Sequence, residues 1–426
     1  MRSSIDTLTS KVFKLLLTLL LCLCSSIYLN AKTLNVCTDC EFTSIEAALD
    51  NVQMDDTIAI HAGQYFVENL VVECPIHIIG IDNPVIISKS GDEIFTIIEN
   101  GVSIKGLTLK DVQKSYMKER SAIRVKRKKN FDISDNTIID CFFGIYLEHA
   151  KNGSVHNNTM YGNATTEAES GNAIHAWYCD KLTIWNNHLE GHRDGIYFEF
   201  VNNSTIYQNT SQFNKRYGLH FMFSNDDNYY DNKFVENGAG VAVMFSRRIE
   251  MLNNIFSHNW GEASYGLLLK EIYDAEIHNN DFNNNTIGIF VEGSNRINYF
   301  NNNFRRNGWA IKFSGGCETN IISKNNFLYN SMDLVVNTKM NDNSFSGNYW
   351  SNYTGYDLDK DGIGDIAHYP VKLFSYIINE VPEAIVLMRS LFVDIINYTE
   401  KVSPVFTPKE VKDPVPLMHM ITTNNN

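Results

Sequence analysis

"YGLHFMFSNDDNYYDNKFVENGAGVAVMFS", Tyr217 to Ser246, states one phrase twice: Gly218-Leu-His-Phe-Met-Phe-Ser returns 22 residues later as Gly240-Val-Ala-Val-Met-Phe-Ser. Between the copies lies Asn232-Lys-Phe. The same Asn-x-apolar triplet recurs at Asn136, Asn158, Asn187, Asn254, Asn280, Asn302, Asn325 and Asn343, with Asn209-Thr-Ser a weaker copy. Most spacings are 22 or 23, and the two long ones, 29 and 26, follow insertions at about 160–172 and 256–265. A period this short describes one coil of a solenoid, not one domain. A second landmark stands mostly eight residues after each asparagine, at Gly144, Gly195, Gly240, Gly288 and Ala310, with Gly218 one residue later.

The segments after the glycines alternate, as in Ile-Tyr-Leu-Glu, Ile-Tyr-Phe-Glu, Leu-His-Phe-Met and Ile-Phe-Val-Glu. Strand geometry sends one set inward and the other outward. Stacked coils of this kind predict an all-β fold: a single-stranded, right-handed parallel β-helix of about 13 coils with a ~22-residue repeat. The asparagines form a ladder at one corner, where Asn tolerates left-handed backbone and its amide bonds along the stack. Less regular coils, Thr57-Ile-Ala-Ile to Leu107-Thr-Leu, extend the rod toward the N-terminus, so that it spans residues 32–347. Helically spaced apolar residues in Phe42-Thr-Ser-Ile-Glu-Ala-Ala-Leu-Asp predict a helical cap at about 42–52, because a solenoid end otherwise exposes core and edge strands.

The 426 residues are 44% apolar and 20% charged with a net charge of -13, which suits a soluble acidic protein and excludes nucleic acid as a partner. Residues 1–31 read as a signal peptide for export, against a retained N-terminal anchor: Arg2, Lys11 and Lys14 are basic, Phe13 to Cys24 is apolar, and Ala31 is a candidate cleavage position. Export places Cys37, Cys40, Cys74, Cys141, Cys179 and Cys317 in an oxidising space, with pairings that sequence does not fix. The Cys37-Thr-Asp-Cys40 spacing suits either a small disulfide or two thiolate ligands.

Counted from the landmark glycines, positions +1 and +3 (Ile196/Phe198, Leu219/Phe221, Val241/Val243) are the core. Positions +2 and +4 form an outward column: Tyr146/Glu148, His175/Trp177, Tyr197/Glu199, His220/Met222 and Ala242/Met244. His220, Met222 and Met244 fall on adjacent coils, with His175 two coils from His220. Imidazole and thioether suit Cu(I), which makes these four the copper candidates, against the plainer reading of an adaptable greasy patch for a partner. The same column carries an enzyme alternative. Glu148 and Glu199 flank Trp177 at roughly 10 Å, near the carboxylate spacing of inverting glycosidases, against two solvated glutamates on an acidic surface.

After the rod, residues 348–370 contain Asp357, Asp359, Asp361, Gly362 and Asp365, the front of a calcium loop that lacks the EF-hand glutamate because His368 stands there. A hydrogen-bonded closing turn is the competing reading. Residues 371–400 are apolar with Glu380, Glu383, Arg389 and Asp394 and an interrupting Pro382, which predicts two short helices packed on the rod or offered to a membrane partner. The tail, 401–426, is expected to be extended and carries Met418-His419-Met420, a weaker soft-metal candidate.

"RYGLHFMFSNDDNYYDNKFVENGAGVAVMFSRRIEMLNN", "SYGLLLKEIYDAEIHNNDF", "GIFVEGSNRI" and "NYWSNYTGYDLDKDGIGD" together resemble the NosD family, exported accessory proteins of nitrous oxide reductase maturation. The Asn-ladder coils alone are shared with carbohydrate-binding and sugar-hydrolase β-helices (CASH domains). The His220/Met222/Met244 segment joined to the C-terminal apolar segment is narrower. The resemblance implies a non-catalytic periplasmic protein working with an ABC transporter (NosF ATPase and NosY permease), the NosL copper lipoprotein and nitrous oxide reductase itself. It further implies transient Cu(I) handling and peripheral membrane association through the transporter. The runner-up is a carbohydrate-binding protein or polysaccharide hydrolase or lyase.

Overall fold

The computed structural model describes residues 31–115, 117–167, 170–337, 342–388, 390–402 and 411–422. The expected signal peptide falls outside these residues, apart from its last position. The chain winds into a parallel β-solenoid whose three faces are sheets of 14, 13 and 12 strands, every pair parallel and each strand bonded to its counterpart one coil away. Within a coil the chain visits the first face (Ser103–Lys105), the second (Thr108–Lys110) and then the third (Ser121–Lys126). Register is strict: Leu219 pairs with Val241, His220 with Ala242 and Met222 with Met244.

The repeat triplet explains the interior. Except in Asn343-Ser-Phe345, whose ring lies on the first face, the phenylalanine of each Asn-x-Phe points inward from the second face, and Phe234, Phe256, Phe282, Phe304, Phe327 and Trp350 stack with centroids 4.1–5.5 Å apart. Burying each ring is worth roughly 2–3 kcal/mol, so the column is a principal source of cohesion between coils. The landmark glycine is a steric requirement. A Cβ on Gly288 would stand 2.5 Å from the carbonyl oxygen of Ala310, and one on Gly218 would stand 2.8 Å from that of Gly240.

The asparagine ladder runs through Asn136, Asn158, Asn187, Asn209, Asn232, Asn254, Asn280, Asn302, Asn325 and Asn348. After Asn136, whose Oδ1 accepts from Leu107 N, each Oδ1 accepts from the backbone N–H and the side-chain amide of the preceding rung, as Asn254 Oδ1 does from Asn232 at 3.0 and 3.0 Å. Asn209 is therefore a full rung despite its weak motif. Asn343 is not a rung: its Oδ1 receives the N–H of Asn320 at a different corner, and Asn348 takes the expected place. The left-handed residue at the corner is the one before the rung, for example Asp135 (φ 54), Asn157 (φ 55) and Asn186 (φ 52). A rung Asn must aim its amide along the stack, and its predecessor makes the bend.

Both ends are closed. At the N-terminal end the helix Ile45–Leu49, capped by Ser44 Oγ accepting from Ala47 N at 3.2 Å, buries Ile45 and Ala48 within the expected 42–52 segment. At the other end the ladder finishes on Asp413. Its carboxylate accepts from Gly347 N, Asn348 N, Asn348 Nδ2 and Trp350 Nε1 at 2.9–3.1 Å. The tail, expected to be merely extended, is thus a cap over residues 411–422. Helix Leu373–Glu380 packs Phe374 and Ile378 onto Met332 and Val335 of the third face, and helix Leu391–Val402 adds Val393. Leu391, Phe392, Ile395 and Tyr398 of that second helix stay exposed. Among the described residues no helix is long and apolar enough to cross a membrane.

Candidate functional site

The third face brings together the residues singled out by the repeat. Strand Tyr217–Met222 presents His220 and Met222, strand Ala239–Met244 presents Met244 opposite Met222, and His175 on Ile174–Trp177 lies two rungs from His220, across Tyr197. All four point away from the rod's interior, as alternation requires. Yet the imidazoles are not open to solvent: His175 is 7% exposed and His220 6%, whereas Met222 and Met244 are half-buried. Aromatic neighbours cover them. Tyr146, His175, Tyr197, His220 and Tyr217 form a continuous run of rings with centroids 4.5–5.0 Å apart. The Tyr217 hydroxyl in turn receives that of Tyr265 at 3.3 Å.

The sequence pattern placed Tyr197 on the column, but the cover from the two insertions carried no repeat signal. Asn172, in the first, meets His175 Nδ1 at 3.0 Å, and Tyr265, in the second, closes over Tyr217.

Burial makes these imidazoles poor bases. It lowers the pKa of His220 to about 4, and lowers that of His175 to about 3 with help from the Arg193 and Arg124 charges. Both rings are neutral at physiological pH, the form that ligates metal. His220 Nε2 is buried without a hydrogen-bond partner. Its Nδ1 lies 3.5 Å from Arg216 Nη2, at the limit of hydrogen-bond length. Arg216 itself is held by the fully buried Asp194 through Nε at 2.9 Å and through Nη2, so its charge is neutralised beside the ring. The Tyr197 hydroxyl lies 3.8 Å from Met222 Sδ and 3.3 Å from Glu199 Oε2, which orients both.

The other candidates are distributed elsewhere. Glu148 and Glu199 flank Trp177 as expected. However, Glu148 lies 3.6 Å from Arg124 Nη1 and 4.0 Å from Arg127 Nε, so its carboxylate is paired within the chain. Ligand oxygens of Asp357, Asp359 and Asp361 fall within 4.8 Å of one another. They also accept backbone N–H groups of their own loop: Asp357 from Lys360 and Gly362, Asp361 from Ile363. Asp365 accepts from Leu358 at 2.8 Å, apart from that trio. Met418, His419 and Met420 sit at the capped end, where Leu417 bridges Tyr349 and Met418 N bonds Gly362 O, more than six rungs beyond the His220 strand and so roughly 30 Å away.

Cys37 and Cys40 form a disulfide. Cys141, Cys179 and Cys317 are buried free thiols. Cys179 takes the rung position that Ser224 and Ser246 hold in later coils, accepting from Ala150 N at 3.4 Å, and burial pushes the thiols of Cys141 and Cys179 up to about 12.

Fold and site define a parallel β-solenoid with neutral imidazole and thioether donors on one outer face. The family model described as periplasmic copper-binding protein (NosD) matches residues 81–166 and 157–355, and the chain belongs to that family. A "Probable ABC transporter binding protein NosD" of Stutzerimonas stutzeri is 26% identical over 381 residues, covering 85% of this chain and 86% of the relative. A protein of the same description from Pseudomonas aeruginosa is 32% identical over 114 residues, 26% of this chain and 27% of the relative. Among solved structures, the A-module of mannuronan C-5 epimerase AlgE6 of Azotobacter vinelandii superposes with a TM-score of 0.50 at 14% identity, covering 72% of this chain and 89% of that one. That likeness is one of fold.

Proposed function

We propose that the protein is a non-catalytic accessory factor for copper-centre assembly in nitrous oxide reductase, receiving Cu(I) on His220, Met222 and Met244 and passing it on. The supporting observation is the pairing of a buried, unpartnered imidazole nitrogen, His220 Nε2, with two register-matched thioethers in a chain of a copper-binding family. Copper here is cargo. Weak thioether ligation with one imidazole suits a Cu(I) that must leave again. Ligation through Nε2 requires the Nδ1–H tautomer, so copper entry displaces the 3.5 Å contact with Arg216. His175, behind Tyr197, is a reserve ligand that needs the Tyr197 ring to swing aside.

The relatives' description as ABC transporter binding proteins supports a transporter as partner, of the NosF/NosY type, with a NosL-type lipoprotein as donor. In this reading the rod over 32–347 is the platform and the helical segment over 371–400 docks on the permease through Leu391, Phe392, Ile395 and Tyr398, giving peripheral attachment to the membrane. The end loop over 348–370 takes Ca²⁺, if any, on Asp357, Asp359 and Asp361, with Asp365 drawn in only by rearrangement. The carbohydrate reading is disfavoured by the arginines on Glu148.

Cu(I) titration of the mature protein against a chromogenic chelator, beside His220→Ala, Met222→Ala and Met244→Ala, tests the proposal. A loss of affinity of about ten-fold or more in each variant is expected, and unchanged affinity in all three overturns it.

A further inference from the structure

The other end of the rod carries a second set of soft donors. Cys37 and Cys40 are three residues apart and disulfide-bonded, both half-buried. A bridge across so short a loop removes little chain entropy. The turn is already closed by its backbone: Cys37 N donates to Phe42 O at 3.1 Å, Phe42 N donates to Asn35 O at 3.3 Å, and Val36 bridges Phe42. The backbone therefore closes this turn alongside the disulfide. Buried Cys141, Cys179 and Cys317 are sealed from exchange with it, and half-buried Cys74 is the remaining free thiol among the described residues.

His61 stands beside this pair. It follows Ile60, the register partner of Val36, and its N–H donates to Val36 O at 3.0 Å, which sets it next to Cys37 on the neighbouring rung, ~4.8 Å away. Its Nε2 lies 2.9 Å from Asn35 Oδ1. An amide oxygen accepts only, so Nε2 carries the proton and the lone pair resides on Nδ1. This is the arrangement by which an outer carbonyl or carboxylate orients a metal-bound imidazole. The Tyr65 hydroxyl reaches Val36 O at 3.2 Å and His61 O at 2.9 Å, pinning both rungs.

We propose that reduction of Cys37–Cys40 converts this end of the rod into a second Cu(I) site, formed by the two sulfurs and His61 Nδ1. Two thiolates and one imidazole are soft donors matched to Cu(I), and a Cys-x-x-Cys pair forms thiolate more readily than an isolated cysteine. The balance is complete. A dithiol reductant gives two electrons and two protons to the S–S bond and becomes a disulfide itself; Cu(I) then replaces the thiol protons, which leave to solvent. This site does not depend on the His220 cluster.

The test uses full-length mature protein, oxidised or reduced, with Cu(I) supplied as its bicinchoninate complex. The reduced protein is expected to hold one Cu(I) per chain more than the oxidised, with near-ultraviolet sulfur-to-copper absorption. That increment should vanish in a Cys37→Ser/Cys40→Ser variant and after iodoacetamide alkylation of reduced wild type, which tests the site without a mutation. Asn35→Ala should weaken the increment about ten-fold by freeing the imidazole, with Cys37 and Cys40 untouched. Equal uptake by oxidised and reduced protein, or an increment that survives both the double substitution and alkylation, overturns the proposal.

Discussion

The asparagine ladder and the imidazole column both bury polar side chains against a β-sheet rod, and they end differently. Among the described residues no ladder amide is left without a partner, and the last one is met by Asp413. The column leaves His220 Nε2 unmatched. A fully satisfied polar network is structure, because each bond replaces one that water would have made. A buried polar atom without a partner costs about 1–3 kcal/mol; His192 Nε2 and the Tyr229 and Tyr299 hydroxyls share that state, and what sets His220 apart is the register-matched thioether pair on the same outer face. The ladder therefore explains why the rod stands, and the column is where we propose that the rod receives copper.

The largest effect is expected at the ladder's end. Asp413→Ala strands the N–H groups of Gly347 and Asn348, the Asn348 amide and the Trp350 indole N–H in a buried site, at a cost of about 3–5 kcal/mol. Hydrogen exchange should show the last coils opening first, because coils contact only their neighbours. A next, smaller loss of about 2–3 kcal/mol is expected for Asn254→Ala, read by urea unfolding, since it empties one rung between Asn232 and Asn280.

The pH dependence probes the column. His220 has a folded pKa of about 4 against about 6.5 unfolded, so the unfolded chain binds the extra proton between those values. Stability therefore falls as pH drops from about 6.5 to 4, by up to about 3 kcal/mol for this one group, and His220→Leu should flatten that part of the curve. Cu(I) affinity should stay level down to about pH 5, because the ring is already neutral; an affinity that falls from pH 7 with a midpoint near 6.5 would place the ligand elsewhere.

Met222→Leu conserves volume, so stability should change by less than about 1.5 kcal/mol while copper affinity drops. That separation distinguishes a ligand from a packing residue. The least effect on stability, within about 0.5 kcal/mol, is expected for Phe392→Asp, which alters an exposed side chain. Co-purification with membranes bearing the transporter should nevertheless be lost.

Much of this was legible in the chain because solenoid interactions repeat. One coil's period, its glycine and its inward and outward positions recur, so Met222 and Met244 could be set on adjacent rungs from spacing alone. What does not repeat could not be read. Asn343 copies the triplet yet misses the ladder, because it stands at the corner before the first-face strand Ser344–Ser346, where it accepts from Asn320, while Asn348 holds the ladder corner.

The sequence by itself thus determined the coil, its inward and outward positions and the adjacency of His220, Met222 and Met244. Only the tertiary structure decided that the imidazoles are covered, since Tyr265 comes from an insertion 48 residues from Tyr217. It also decided that Asp413 caps a ladder whose last asparagine is 65 residues away, and that His61 stands beside Cys37. Periodic hydrogen bonding is written locally in every repeat. Contacts made once, by insertions and ends, depend on where the whole stack brings them.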